Sequence, residues 1–193
     1  MHFIKRSAFF VVALLFIGAQ LWADKGDHAT ESIRMMPPAK YPLLTREMID
    51  VLAGLDCKIP QPWSGSSMAN VIVGHFAATS QTDVAVLCSR QGKSAIYILW
   101  GGPRRCPAHS PSPATLAQYS DRSYLQMVGP EKIGYSRAIV VADNKAVRRA
   151  WINEDVVSVP ELLHDGIEDA YLEKGSTIHY CSEGRWLALP GSD

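Results

Sequence analysis

The segment TDVAVLCSRQGKSAIYILWGG, Thr82 to Gly102, decides how this chain is read. Its two runs, DVAVLCS and SAIYILW, are short and rich in β-branched and aromatic residues, and the polar RQGK between them is a turn. NVIVGHF stands ahead of them across a second polar turn, AATSQT, so the region reads as three strands in a meander. The ladder stops after Trp100, because Gly101 to Pro113 holds two glycines and four prolines, which favour loops and withhold ladder donors. A less regular region follows to Gly134, and RAIVVA, Arg137 to Ala142, gives another strand. Beyond it Asp143 either caps a short helix over Lys145 to Ile152 or turns a hairpin with Asn144.

Upstream of the meander, Thr45 is placed to cap a helix through about Leu55, with Met48, Val51, Leu52 and Leu55 making one apolar face. Pro60 to Ser67 breaks it. Asp24 to Pro42 is polar and carries Pro37, Pro38 and Pro42, so it reads as an extended leader. At the start, Lys5 and Arg6 precede an apolar run from Ala8 to Trp22 that ends at Ala23, the pattern of an export signal. That run is roughly 15 residues where a spanning helix needs about 20, which favours cleavage after Ala23 over permanent anchoring. The expected organisation is a signal peptide over 1–23, a leader over 24–42 and one β-rich domain over 43–193. The mature chain is expected to be periplasmic or secreted, with no membrane span after cleavage.

Removing Lys5 and Arg6 from the 19 basic residues leaves 17 against 19 acidic ones, a net of about −2. No field gathers nucleic acid or anionic lipid at that charge. All four cysteines, Cys57, Cys88, Cys106 and Cys181, fall in the exported part, and an even count in an oxidising compartment reads as two disulfides. No two stand at a short zinc-like interval. Three connectivities are possible; Cys57–Cys88 with Cys106–Cys181 is preferred, tying the segment before the sheet to an early strand and a proline-rich loop to a late one.

An internal echo extends the reading. EDAYLEKGSTIHYCSEG, Glu168 to Gly184, aligns with the opening segment when Asp169 is set on Asp83 and Ser176 on Ser94, at the cost of a four-residue contraction of the turn. GHFAATSQTDVAVL and HDGIEDAYL resemble the FG-GAP or VCBS-type repeat of β-propellers, in which a G-D-F-like start leads through an acidic loop into an apolar strand. The DGIED and GRW elements also resemble a group of small exported bacterial proteins of unknown function, a likeness that brings no activity with it. Closed propellers need at least four blades of four strands. About 170 mature residues with two readable copies imply instead a β-rich α+β fold: antiparallel meander sheets resembling incomplete propeller blades, with one N-terminal helix.

In the family the acidic loop binds calcium, a cation that wants six to eight oxygen ligands. Carried over by position, the late copy offers Glu161, Asp165 and Asp169 with Gly166, while Leu163 stands where an acid belongs. The early copy keeps only Asp83, with His75, Ala77 and Thr79 at the other places. The competing expectation is that these carboxylates accept backbone N–H bonds and hold a tight turn. Catalysis would need an acid and a base in contrasting environments, and no nucleophile motif such as G-x-S-x-G is present. Trp63, Trp100, Trp151 and Trp186 with Tyr97, Tyr135 and Tyr180 are read mainly as core, Trp100 sharing a face with Ile96 and Ile98 and Trp186 being the best candidate for an exposed binding aromatic. The function expected is a non-catalytic exported binding or structural module, its partner a protein or glycan of the cell envelope. The alternative is a small envelope-acting hydrolase.

Overall fold

The computed structural model of the protein describes residues 33–65, 68–152 and 161–191. The expected export signal and the first part of the leader lie outside them. The remainder of the leader is not a loose extension. Strand β1 (Met35–Met36) pairs antiparallel with β2 (Ile59–Pro60), and Ile33 and Tyr41 are buried, so the packed unit already includes Ile33. The prolines that suggested a leader sit around a single 3-10 turn, Pro38–Lys40, where their fixed φ is an advantage.

Helix α1 (Arg46–Gly54) begins where expected: Thr45 Oγ1 accepts from Met48 N at 3.3 Å. The chain then builds two four-stranded antiparallel sheets, each a meander in sequence order. The first contains β3 (Val71–Gly74), β4 (Asp83–Arg90), β5 (Lys93–Leu99) and β6 (Ala114–Ser120). A hairpin of β7 (Leu125–Gly129) and β8 (Lys132–Tyr135) follows. The second sheet contains β9 (Arg137–Ala142), β10 (Gly166–Tyr171), β11 (Gly175–Ser182) and β12 (Arg185–Pro190). Between β9 and β10 the chain forms a second helix, α2 (Asn144–Ile152), which settles the alternatives at Asp143. Asp143 Oδ1 accepts from Ala146 N at 2.8 Å, and that cap, with Val147, Ala150 and Trp151 buried on one face, outweighs a hairpin.

The two sheets pack face to face and each outer face is covered by a helix. Strand β4 is buried on both faces over its whole length except Arg90, which is why DVAVLC shows no polar alternation. Val84, Val86 and Cys88 meet Leu52 of α1, whereas Ala85 and Leu87 meet Ile139 and Ile167 of the second sheet. On the far side Ile178, Tyr180 and Leu189 pack against Val147 and Trp151 of α2. The layers are therefore helix, sheet, sheet, helix.

The innermost strands β3 and β9 run side by side in the same direction. Asn70, fully buried at the start of β3, donates to the carbonyls of Pro60 and Arg137 and accepts from Ile139 N at 2.9 Å. At the other end Asp165 N donates to His75 O and Asp165 Oδ2 accepts from His75 N, at 2.8 and 2.9 Å. Two meanders run outward from adjacent, parallel inner strands, and neither sheet closes.

Two disulfides complete the frame. Cys57–Cys88 fixes the exit of α1 to β4, and Cys106–Cys181 fixes the loop after β5 to β11, the pairing preferred from the sequence. Their Cα separations of 5.2 and 6.1 Å suit unforced bridges. Among the described residues no helix is long and apolar enough to cross a membrane.

Candidate functional site

The centre of the interface between the sheets is an arginine. Arg137 opens β9 with its side chain on the face turned toward the first sheet, and it is fully buried. A guanidinium carries five N–H donors, and a buried one is costly unless all are used. Here they are. Nε and Nη2 donate to the two oxygens of Asp169 at 2.8 Å each, Nη1 to the carbonyl and hydroxyl of Ser94 at 2.8 and 2.9 Å, and Nη2 also to Ala117 O at 2.6 Å. Strand β10 contributes the carboxylate, β5 and β6 the neutral acceptors, so one side chain joins both sheets.

Aromatic rings close the group in. The guanidinium carbon lies 5.0 Å from the ring centre of Tyr119 and 4.9 Å from that of Tyr124, within cation–π range. Tyr171 packs against Tyr124 with ring centres 5.3 Å apart. Tyr135 shares a hydrogen bond with Ser94 Oγ at 2.9 Å.

The electrostatics follow from this packing. Burial alone would raise the Asp169 carboxyl, but the bidentate hydrogen bonds from Arg137, helped by its charge, hold it below the usual carboxylate range. Burial would likewise disfavour the Arg137 cation, and the same pairing with Asp169 keeps it charged. Burial pushes the Tyr124 phenol up to about 12 and raises Tyr135 further, so both stay neutral at physiological pH.

Next to this cluster is a recess of about 290 Å³. Tyr119 from the end of β6, Tyr124 from the 3-10 turn Asp121–Tyr124 and Tyr171 from β10 form one side. Lys174, Gly175, Ser176 and Thr177 from the β10–β11 hairpin line the recess as well, and the buried Asp169 lies at the floor. Glu173 supplies the positive φ of +62° that lets a three-residue connection reach Gly175.

Of the candidate calcium ligands named from the sequence, Asp169 alone lies in this site. Asp165 accepts a backbone N–H, Asp169 is committed to Arg137, and Glu161 is exposed, so the calcium set is not assembled. Among the described residues no three histidine, cysteine, aspartate or glutamate side chains converge as a metal would require. His164 stacks on Tyr180 with ring centres 4.6 Å apart, on the face of the second sheet turned away from His179. His179 Nε2 is 3.9 Å from Asp169 Oδ2, beyond hydrogen-bond reach. Trp186 is half-buried and donates from Nε1 to Cys106 O at 3.0 Å, which makes it a brace for the disulfide loop.

The echo also needs correcting in register. Asp83 is the first residue of β4 and accepts from Phe76 N, Gly101 N and Gln81 Nε2. Asp169 is the fourth residue of β10 and grips a guanidinium. The turns correspond better than the acids: Gln91-Gly92 and Glu183-Gly184 both join strands through two residues of positive φ.

Of the aromatics read mainly as core, Tyr97, Tyr135, Tyr180 and Trp151 are buried. The three tyrosines that line the recess were not among them. Arg137 was read as the first residue of the RAIVVA strand and given no role there. Comparison with protein-family models, with curated proteins and with solved structures finds no match to the chain.

Proposed function

We propose that the protein is an exported, non-catalytic binding module of the cell envelope, a two-blade relative of the FG-GAP or VCBS-type repeat that takes its ligand at the tyrosine-lined recess. The observation that carries this is the commitment of Asp169. Both of its oxygens receive guanidinium N–H bonds and its carboxyl is held low, so it is a poor proton acceptor and a poor acid. The other candidate groups are spent on structure: Asp165 on the β3–β10 junction, His164 on Tyr180, and all four cysteines in bridges. Two disulfides favour an oxidising compartment and agree with export.

Among the described residues, a hydrolase would have to use His179 against Asp169, with both side chains almost fully buried between the sheets. Assaying the mature protein on ester, amide and glycoside substrates and on isolated envelope material tests the reading. No turnover is expected. Hydrolysis that disappears in His179→Ala would end it.

A further inference from the structure

We propose that the recess beside Arg137 is a subsite for one acidic sugar unit, a pyranose bearing a carboxylate. The inference rests on the binding-module reading and names the ligand class of that site.

Size is the first argument. About 290 Å³ is at the low end of small-molecule sites, which run from about 300 to 1,000 Å³, so the recess suits one ring and its substituents. The second is the wall. Tyr119 is 48% exposed although it is a large aromatic on a sheet, and one of its faces is already taken by the Arg137 guanidinium. Tyr171 is only half-buried, and Tyr124 between them is packed against both Tyr119 and Tyr171. The rings are thus locked before any ligand arrives, which lowers the ordering cost of stacking. Flat aromatic faces suit the C–H face of a pyranose, whose hydroxyls need polar partners at the edge. Thr177, paired across the strands with Asp169 and so on the same face, is the polar side chain beside the tyrosines at that edge, whereas Ser176 Oγ donates to Glu168 Oε1 on the opposite face.

Charge selects among sugars. Asp169 on the floor is neutralised by Arg137, so the anion one would first notice contributes no net field. Lys174 on the rim is exposed and makes no ion pair among the described residues. An ammonium over a charge-balanced floor favours an anionic substituent reaching the rim. A purely apolar ligand is disfavoured by the same rim, and a free cation by Lys174.

The test is a titration of isotope-labelled mature protein followed by amide and side-chain NMR shifts. The probes are matched pairs: N-acetylmuramic acid against N-acetylglucosamine, and a glucuronate disaccharide against its neutral glucose counterpart, with acetate alone as a control. Expected are saturable shifts at Tyr119, Tyr171 and Lys174 with the acidic member at millimolar Kd, and at least tenfold weaker binding of the neutral member. Lys174→Ala should remove that preference while leaving the fold signals in place, and Tyr119→Ala should abolish binding of both members. The two pairs distinguish a peptidoglycan-type from a uronate-type source. Equal binding of acidic and neutral sugars, shifts confined to other surfaces, or no shifts at tens of millimolar would overturn the assignment. If the sugars fail but no substrate is turned over either, only the ligand class is lost; turnover would remove the module reading itself.

Discussion

Replacing Asp169 by asparagine tests the central arrangement most directly. The substitution keeps the shape and one acceptor but leaves the Arg137 cation in the interior without its counter-charge. Breaking a buried pair in this way costs about 3 to 5 kcal/mol, because the remaining charge stays desolvated. For a domain of this size that is a fall in Tm of roughly 6 to 20 °C, at about 2 to 4 °C per kcal/mol. The pH dependence sharpens the test. The folded carboxyl is lowered, so its contribution is fully present above the unfolded value of about 3.9 and is lost as pH falls through the folded one. Urea unfolding with the disulfides intact should show a wide gap between wild type and Asp169→Asn at pH 7 that narrows below about pH 4. Arg137→Met should show the same sign, losing more stability relative to wild type as pH rises, since it leaves an unpaired carboxylate between the sheets. The double variant Arg137→Met/Asp169→Leu removes both charges, and its loss should fall at least about 2 kcal/mol short of the sum of Arg137→Met and Asp169→Asn. A loss under about 1 kcal/mol for Asp169→Asn, or additivity within about 0.5 kcal/mol, would refute the reasoning.

The disulfides differ in reach: with sequence separations of 31 and 75, the chain-entropy model gives about 3.7 kcal/mol for Cys57–Cys88 and about 4.5 for Cys106–Cys181. Serine replacement of each pair should therefore lower the urea midpoint more for the second, and non-reducing peptide mapping should recover both linkages and no Cys57–Cys106 peptide. Asn70→Ala strips partners from Pro60 O, Arg137 O and Ile139 N at once, and an expected loss of about 2 to 4 kcal/mol should appear as faster amide exchange at Ile139. Melting curves with millimolar calcium and with chelator should coincide, because a bound ion would raise the midpoint.

Strands β3, β4, β5 and β9 were legible because their runs are long, apolar and fenced by polar turns. Strand β6 was not. ATLAQYS is half polar, its pairing with β5 slips between Ser94 and Ile96, and Ala117 takes a φ of +51° that nothing in its identity announces. The β7–β8 hairpin turns at Pro130-Glu131, where glutamate again adopts positive φ, so the usual glycine signal is missing. The false register of the echo has a physical origin as well. Strand side chains alternate with period two, so two acidic residues can be superposed several residues out of step and still match in pattern. The buried arginine was hidden for a related reason: at the first position of a strand, a residue that faces water and one that spans two sheets are spelled alike. Its partner Asp169, read as part of a loop, gave no hint because the pairing is across strands and set by the fold.

The division of labour around Arg137 also bears on whether these sheets are portable. The cation and its counter-ion both belong to the second sheet, but three of the five N–H donors are answered only by Ser94 and Ala117 from the first. A second half transplanted into another scaffold, or expressed without residues 71–120, would carry a charged group whose remaining valences nobody fills. Unlike the blades of a closed ring, which can be added or removed by repetition, this pair is a lock and its only key, and recombination that swaps one half should yield proteins that fail to assemble.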